Sequence, residues 1–137
     1  MYIVFGDEII DSNDIKDIIE NNSDFSVEKD LTKGTKREDT LAYQMSISIN
    51  LLNEIIKEEY ELMDLDEEVL FDEYMILSEE LAMELEKYMP ENVIMNVRSY
   101  KWDNSENTIK LVLVMSHLQL GQLKPSDISR RLLTQVD

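Results

Sequence analysis

Residues 38–63 read EDTLAYQMSISINLLNEIIKEEYELM, and the fold turns on which period that stretch obeys. Leu41, Tyr43, Met45, Ile47 and Ile49 alternate, as one face of a strand does. Leu41, Met45, Ile49, Leu52, Ile56, Tyr60 and Met63 also step by threes and fours, as one side of a helix does. The helical pattern runs the full length without Gly or Pro, and Asp39 or Thr40 supplies an N-cap. Ser46, Ser48 and the β-branched isoleucines pull the other way. The longer unbroken pattern favours the helix.

The next stretch extends this. Asp64-Leu65-Asp66-Glu67 is a helix-start signature, with Asp64 as cap and Glu67 three residues on. Leu70, Tyr74, Leu77, Leu81, Leu85 and Tyr88 then form an apolar stripe, which Val69, Ile76 and Met83 broaden, and Pro90 stops the helix. Two long helices with a very short link must fold back on each other, so residues 38–89 are expected to be an antiparallel helical hairpin.

On either side the pattern is mixed. In the N-terminal part, 1–37, Tyr2-Ile3-Val4-Phe5 reads as a short strand ending at Gly6. Asp11-Ser12-Asn13-Asp14 offers caps to a helix bearing Ile15, Ile18 and Ile19. Phe25, Val27 and Leu31 suggest a second strand before the basic turn Lys33–Arg37. Residues 93–118 read as a β-hairpin, Val93–Trp102 and Thr108–Leu118, closed by Asp103–Asn107. Its second strand is apolar on both faces: Ile109, Leu111, Leu113 and Met115 on one, Val112, Val114 and Leu118 on the other. Such a strand lies centrally in a doubly covered sheet or at an interface between chains. Residues 125–136, after Pro125-Ser126-Asp127, suit a short terminal helix with Ile128, Leu132, Leu133 and Val136 inward and Arg130 and Arg131 outward. The expected fold class is therefore α+β: one 137-residue domain, a long antiparallel helix hairpin packed on a small, mostly antiparallel sheet.

Charge is the unusual property. Thirty acids against thirteen Lys and Arg give a net charge of −17, and residues 51–89 alone hold fourteen acids against Lys57 and Lys87. Residues 31–50 and 90–137 are each slightly basic. A field of this sign repels nucleic-acid phosphate and anionic lipid and favours a basic protein surface; solubility is the other use of such charge. No apolar run reaches membrane-span length. The absence of cysteine fits a reducing compartment, and the start, without a basic region or long apolar core, is unlike a signal peptide. A cytoplasmic protein is expected.

Chemistry has few candidates. His117 could act as a base but lacks a sequence-evident partner, and a role in the core or at the sheet edge also accounts for it. One His and no Cys exclude zinc and di-iron sites of the usual composition. Asp64 and Asp66 have hard-cation ligand character, yet helix capping explains both. Three isolated glycines build no phosphate loop. Arg98, Tyr100, Lys101 and Trp102 make either an aromatic–basic contact patch or a stabilising cross-strand pair. The methionines at helical spacing serve as an adaptable face or as core filler. No cofactor, no metal and no catalytic residue are expected.

What remains is the acidic rows. With the stripe inward, Glu68, Asp72, Glu79 and Glu86 lie outward, Glu73 and Glu80 beside them, and Glu54, Glu58 and Glu61 on the preceding helix. Neighbours three or four apart sit about 5–6 Å from one another and repel. The expected function is that of a non-enzymatic acidic binding protein which inhibits or sequesters a basic, nucleic-acid-binding partner through this face, in the manner of nucleic-acid mimics of phages and mobile elements. Two alternatives stand beside it: an immunity or antitoxin protein for a basic toxin such as a nuclease, and a structural subunit assembling into a homo-oligomer through the 93–118 hairpin.

Overall fold

In a computed structural model, which describes residues 1–61, 64–121 and 123–137, the elements run β1 (Tyr2–Phe5), β2 (Glu8–Asp11), α1 (Ser12–Asn22), β3 (Ser26–Asp30), β4 (Thr40–Ser48), α2 (Ile49–Ile56), α3 (Glu67–Met83), β5 (Val93–Asp103), β6 (Thr108–His117) and α4 (Leu123–Leu132). β1 and β2 form a small antiparallel hairpin; the other strands form a four-stranded antiparallel sheet in the order β3-β4-β6-β5. The chain is α+β, and no described helix is long and apolar enough to cross a membrane.

Among the described residues the long helical hairpin is not present. Residues 40–48 obey the alternating period, and only Ile49–Ile56 form a helix. A step of four is also a multiple of two, so Leu41, Met45 and Ile49 satisfied both patterns, and the pairing partner decides between them. β6 pairs with β4 from Thr40↔Ser116 to Ser48↔Thr108 without interruption. That ladder buries Leu41, Tyr43, Met45 and Ile47 on one face and Ala42 on the other, each large side chain contributing about 1.5–3 kcal/mol. Ser48 marks the switch. It ends the strand, and its hydroxyl accepts the Asn50 N–H at 3.2 Å, capping α2. Met63, the last residue of the expected helical stripe, lies outside the described residues.

The second helix is real, with a different start and a different inner line. Its cap is Asp66, whose carboxylate accepts the Val69 N–H at 2.8 Å, not Asp64. The buried line is Tyr74, Ser78, Ala82 and, in the 3₁₀ turn Glu84–Tyr88, Leu85. Small side chains at 78 and 82 let the helix approach the sheet closely, while Leu77 and Leu81 fill its flank and Tyr88 remains exposed.

Two cores sandwich the sheet. β1 and α1–α3 cover one face, over Ile109, Leu111, Leu113 and Met115; α4 covers the other, over Val112 and Val114. The doubly apolar strand is thus central and covered by its own chain. β5 carries a register shift between Ser99 and Lys101. A bulge adds one residue and reverses the facing of the residues after it, so Tyr100 keeps the α4 side that alternation gives it while Trp102 turns to the α3 side.

Candidate functional site

The site is built where α2 runs out beside α3. After Ile56 the backbone winds on through loose turns, with Glu58 N–H bonded to the Ile55 carbonyl and Glu59 N–H to the Ile56 carbonyl, which carry Glu58, Glu59 and Tyr60 along the flank of α3. The two helices are pinned together by the Tyr74 hydroxyl, which donates to the Asn53 side chain. Burial pushes the Tyr74 phenol up, opposed by that bond. It stays protonated and keeps donating.

Between them lies a groove of about 270 Å³ lined by Ile55, Ile56, Tyr60, Ile76 and Leu77 together with Glu58, Glu59, Glu73 and Glu80. Along the edge of the groove, Val69, Ile76 and Met83 are 41 %, 54 % and 41 % exposed. These three do not widen the inner stripe. Set at heptad spacing, they form an outward apolar ridge along α3. Helical geometry puts Glu73 and Glu80 on the α2 side of that ridge and Glu68, Asp72, Glu79 and Glu86 on the other side. The charge is therefore two carboxylate rows divided by an apolar line.

Each expected contact residue has a distinct place. Glu58, Glu73 and Glu80 converge on the groove, joined by Glu59, which helical spacing alone does not align with them. Glu54 is ion-paired with Lys57 at 3.2 Å, and Glu61 is exposed beyond the end of α2. Glu68, Asp72 and Glu86 are exposed on the far flank; Glu79 is half-buried and bonded to Ser99. Among the described residues, Glu54–Lys57 is the one ion pair made by the acids of 51–89. Lys87 instead lies over the Tyr88 ring, 5.3 Å from its centroid.

The remaining candidates resolve into local roles. His117 Nδ1 accepts the Gln119 N–H at 3.1 Å, and its ring meets Phe5 edge-on at 5.3 Å; it caps the turn Leu118–Leu120 and fills the end of β1. Among the described residues no group of three His, Asp or Glu converges as a metal site would. The stretch 98–102 is divided by the bulge. Arg98 donates to Ser126 and Ser129 of α4, and the Tyr100 hydroxyl accepts from Gln44 at 2.7 Å, while Trp102 lies under Phe71.

One feature had sequence signals for its parts, the basic turn Lys33–Arg37 and the arginines of the terminal helix, and none for their meeting. Lys36 and Arg37, before β4, meet Lys124 and Arg131 of α4 around a shallow basic depression that includes Asp127. These positions are far apart in the chain, so only the fold collects them. Because α4 covers the sheet face opposite α2 and α3, this depression and the acidic groove lie on opposite sides of the sheet. Comparison with protein-family models, curated proteins and solved structures finds no match to this chain.

Proposed function

We propose that the protein is a small binding protein, not an enzyme, that sequesters a basic partner, of the kind that itself binds nucleic acid, on the outer surface of α2 and α3. The observation that carries the reading is the groove: Glu58, Glu59, Glu73 and Glu80 surround exposed Ile76 and Tyr60, and none of the four is ion-paired within the described residues. Carboxylates lining one groove without counter-ions repel one another, so the free protein bears a cost that a cationic partner removes. Apolar side chains between the charges supply the desolvated anchor that binding hot spots need.

That apolar line favours a folded basic protein or a basic helix over simple phosphate mimicry, and so lends weight to the immunity or antitoxin form of the same reading. Steering by charge would speed the encounter at low salt.

The test uses two synthetic peptides of equal positive charge: polyarginine, and an amphipathic helix carrying leucine at heptad spacing with arginine between. Saturable binding that favours the amphipathic peptide, weakens with salt and is lost when Glu58, Glu59, Glu73 and Glu80 are all replaced by Gln supports the proposal. Equal, weak binding of both peptides, unchanged by the replacements, removes it.

A further inference from the structure

At the other end of α3 a second arrangement is independent of the groove. Phe71 is 41 % exposed, and its ring lies over Trp102, centroids 6.4 Å apart and planes 27° from parallel. Tyr74 supports Trp102 from another side, edge-on at 5.1 Å. Glu67 and Glu68 complete the walls of the open pocket that these two rings line. The indole Nε1 of Trp102 is buried and has no acceptor among the described residues.

Helix capping explains part of this. Acids in a first turn interact favourably with the helix dipole, and Asp66 already serves as the cap. It does not explain an exposed phenylalanine stacked on the chain's single tryptophan, nor a bulge that turns Trp102 toward α3. Aromatic faces carry partial negative charge and attract a cation within about 6 Å. Two carboxylates beside them neutralise that cation and offset the positive end of the helix dipole. A planar guanidinium also stacks on rings in a way that an ammonium does not.

We infer that the pocket formed by Phe71, Trp102, Glu67 and Glu68 is a binding site for an arginine side chain of the partner, its guanidinium stacked on the rings and paired with the carboxylates. The inference deepens the proposed function and rests on it, since it assigns one specific anchor within a basic partner. It requires no movement of the fold, because the Phe71 ring is already exposed over the half-buried Trp102 and Glu67 and Glu68 already line the pocket.

The single tryptophan makes the site directly observable, as the protein has one indole fluorophore and one indole N–H resonance. The amphipathic arginine–leucine peptide is titrated into the wild-type protein, into Phe71→Leu, into Phe71→Ala and into Glu67→Gln/Glu68→Gln. A matched peptide with citrulline in place of arginine is the neutral control. The arginine peptide is expected to shift the Trp102 indole resonance and fluorescence saturably, and citrulline to leave them unmoved. Phe71→Leu, which keeps the apolar volume and loses the ring, should weaken binding about fivefold. The double Gln variant should weaken it at least as much. If the peptide binds and the groove replacements abolish binding, while Trp102 stays silent and Phe71→Leu binds as wild type, the arginine site is wrong and the proposed function stands. If the peptide does not bind wild type even at low salt, both are wrong.

Discussion

Glu79 and Ser99 are joined twice: one carboxylate oxygen of Glu79 lies 2.8 Å from the Ser99 backbone nitrogen and 2.8 Å from its hydroxyl oxygen. The contact fastens α3 to β5, the outermost strand on that side of the sheet. It also occupies an N–H on an edge strand, where free donors invite pairing with other chains. Hydrogen bonds to charged groups contribute about 1.5–3 kcal/mol each, and an orphaned donor adds its own cost. Glu79→Ala should therefore lower stability by about 2–4 kcal/mol in urea denaturation, and Glu79→Gln by less, since the amide oxygen still accepts. A loss below about 0.5 kcal/mol would show that Glu79 belongs with the free carboxylates.

That contact also shows what the sequence could and could not convey. By periodicity Glu79 is one more outward acid, indistinguishable from Glu80. Local signals were legible: the β1 strand, a cap for α1 among residues 11–14, which the structure places at Asp11, and the β5–β6 hairpin with its turn all follow from neighbouring residues. The misread stretch, Thr40–Ser48, is one where local spacing satisfied two periods and a partner strand some seventy residues away chose between them. The inner line of α3 was displaced for a related reason. Ser78 and Ala82 look unimportant to a hydrophobicity pattern, yet small size is what seats a helix on a sheet. The groove was half legible. The acids are evident, but periodicity alone places the ridge of Val69, Ile76 and Met83 inward, where apolar residues usually go. The Phe71–Trp102 pair was invisible, since it depends on a one-residue bulge.

The uncompensated groove has a consequence for the free protein. Replacing Glu58, Glu59, Glu73 and Glu80 together by Gln removes the like-charge pairs that Glu58 and Glu80 make at helical spacing with Glu54 and Glu84, each worth a few tenths of a kcal/mol. The variant should be more stable than wild type at low salt by about 0.5–1 kcal/mol, with the difference shrinking as salt shortens the screening length toward about 3 Å at 1 M. Thermal melts at low and high ionic strength read this directly. A variant less stable than wild type at low salt would mean that the four carboxylates make favourable contacts instead of repelling one another.

Gly6 turns β1 into β2 at a φ of +62°, and a Cβ there would lie 2.7 Å from Cδ2 and 2.8 Å from Nε2 of His117. Strain and collision add. Gly6→Ala should cost about 1–3 kcal/mol, and pairing it with His117→Ala should recover the part due to the clash. If the double change is merely the sum of the two singles, the imidazole is not what excludes a side chain at this turn.

Asp103 sets a dependence on acid. Its Oδ1 accepts the Ser105 hydroxyl at 2.7 Å and the backbone N–H groups of Ser105 and Glu106 at 3.0 and 3.1 Å, and Lys110 Nζ stands 3.4 Å from Oδ2. These bonds, the Ser105 hydroxyl first, hold its carboxyl down to about 2, against about 3.9 for an unperturbed aspartate. A folded value below the unfolded one means that the charged form is favoured by folding. The stabilisation is complete above about pH 4 and is lost as pH falls toward about 2. Asp103→Asn keeps an acceptor oxygen for the turn and removes the charge. The stability gap between wild type and Asp103→Asn should be level from neutral pH down to about 4, then close between about 4 and 2. Melting temperatures of both proteins across that range measure it. A gap that persists unchanged to pH 2 would mean that the carboxylate's charge contributes nothing to holding the β5–β6 turn.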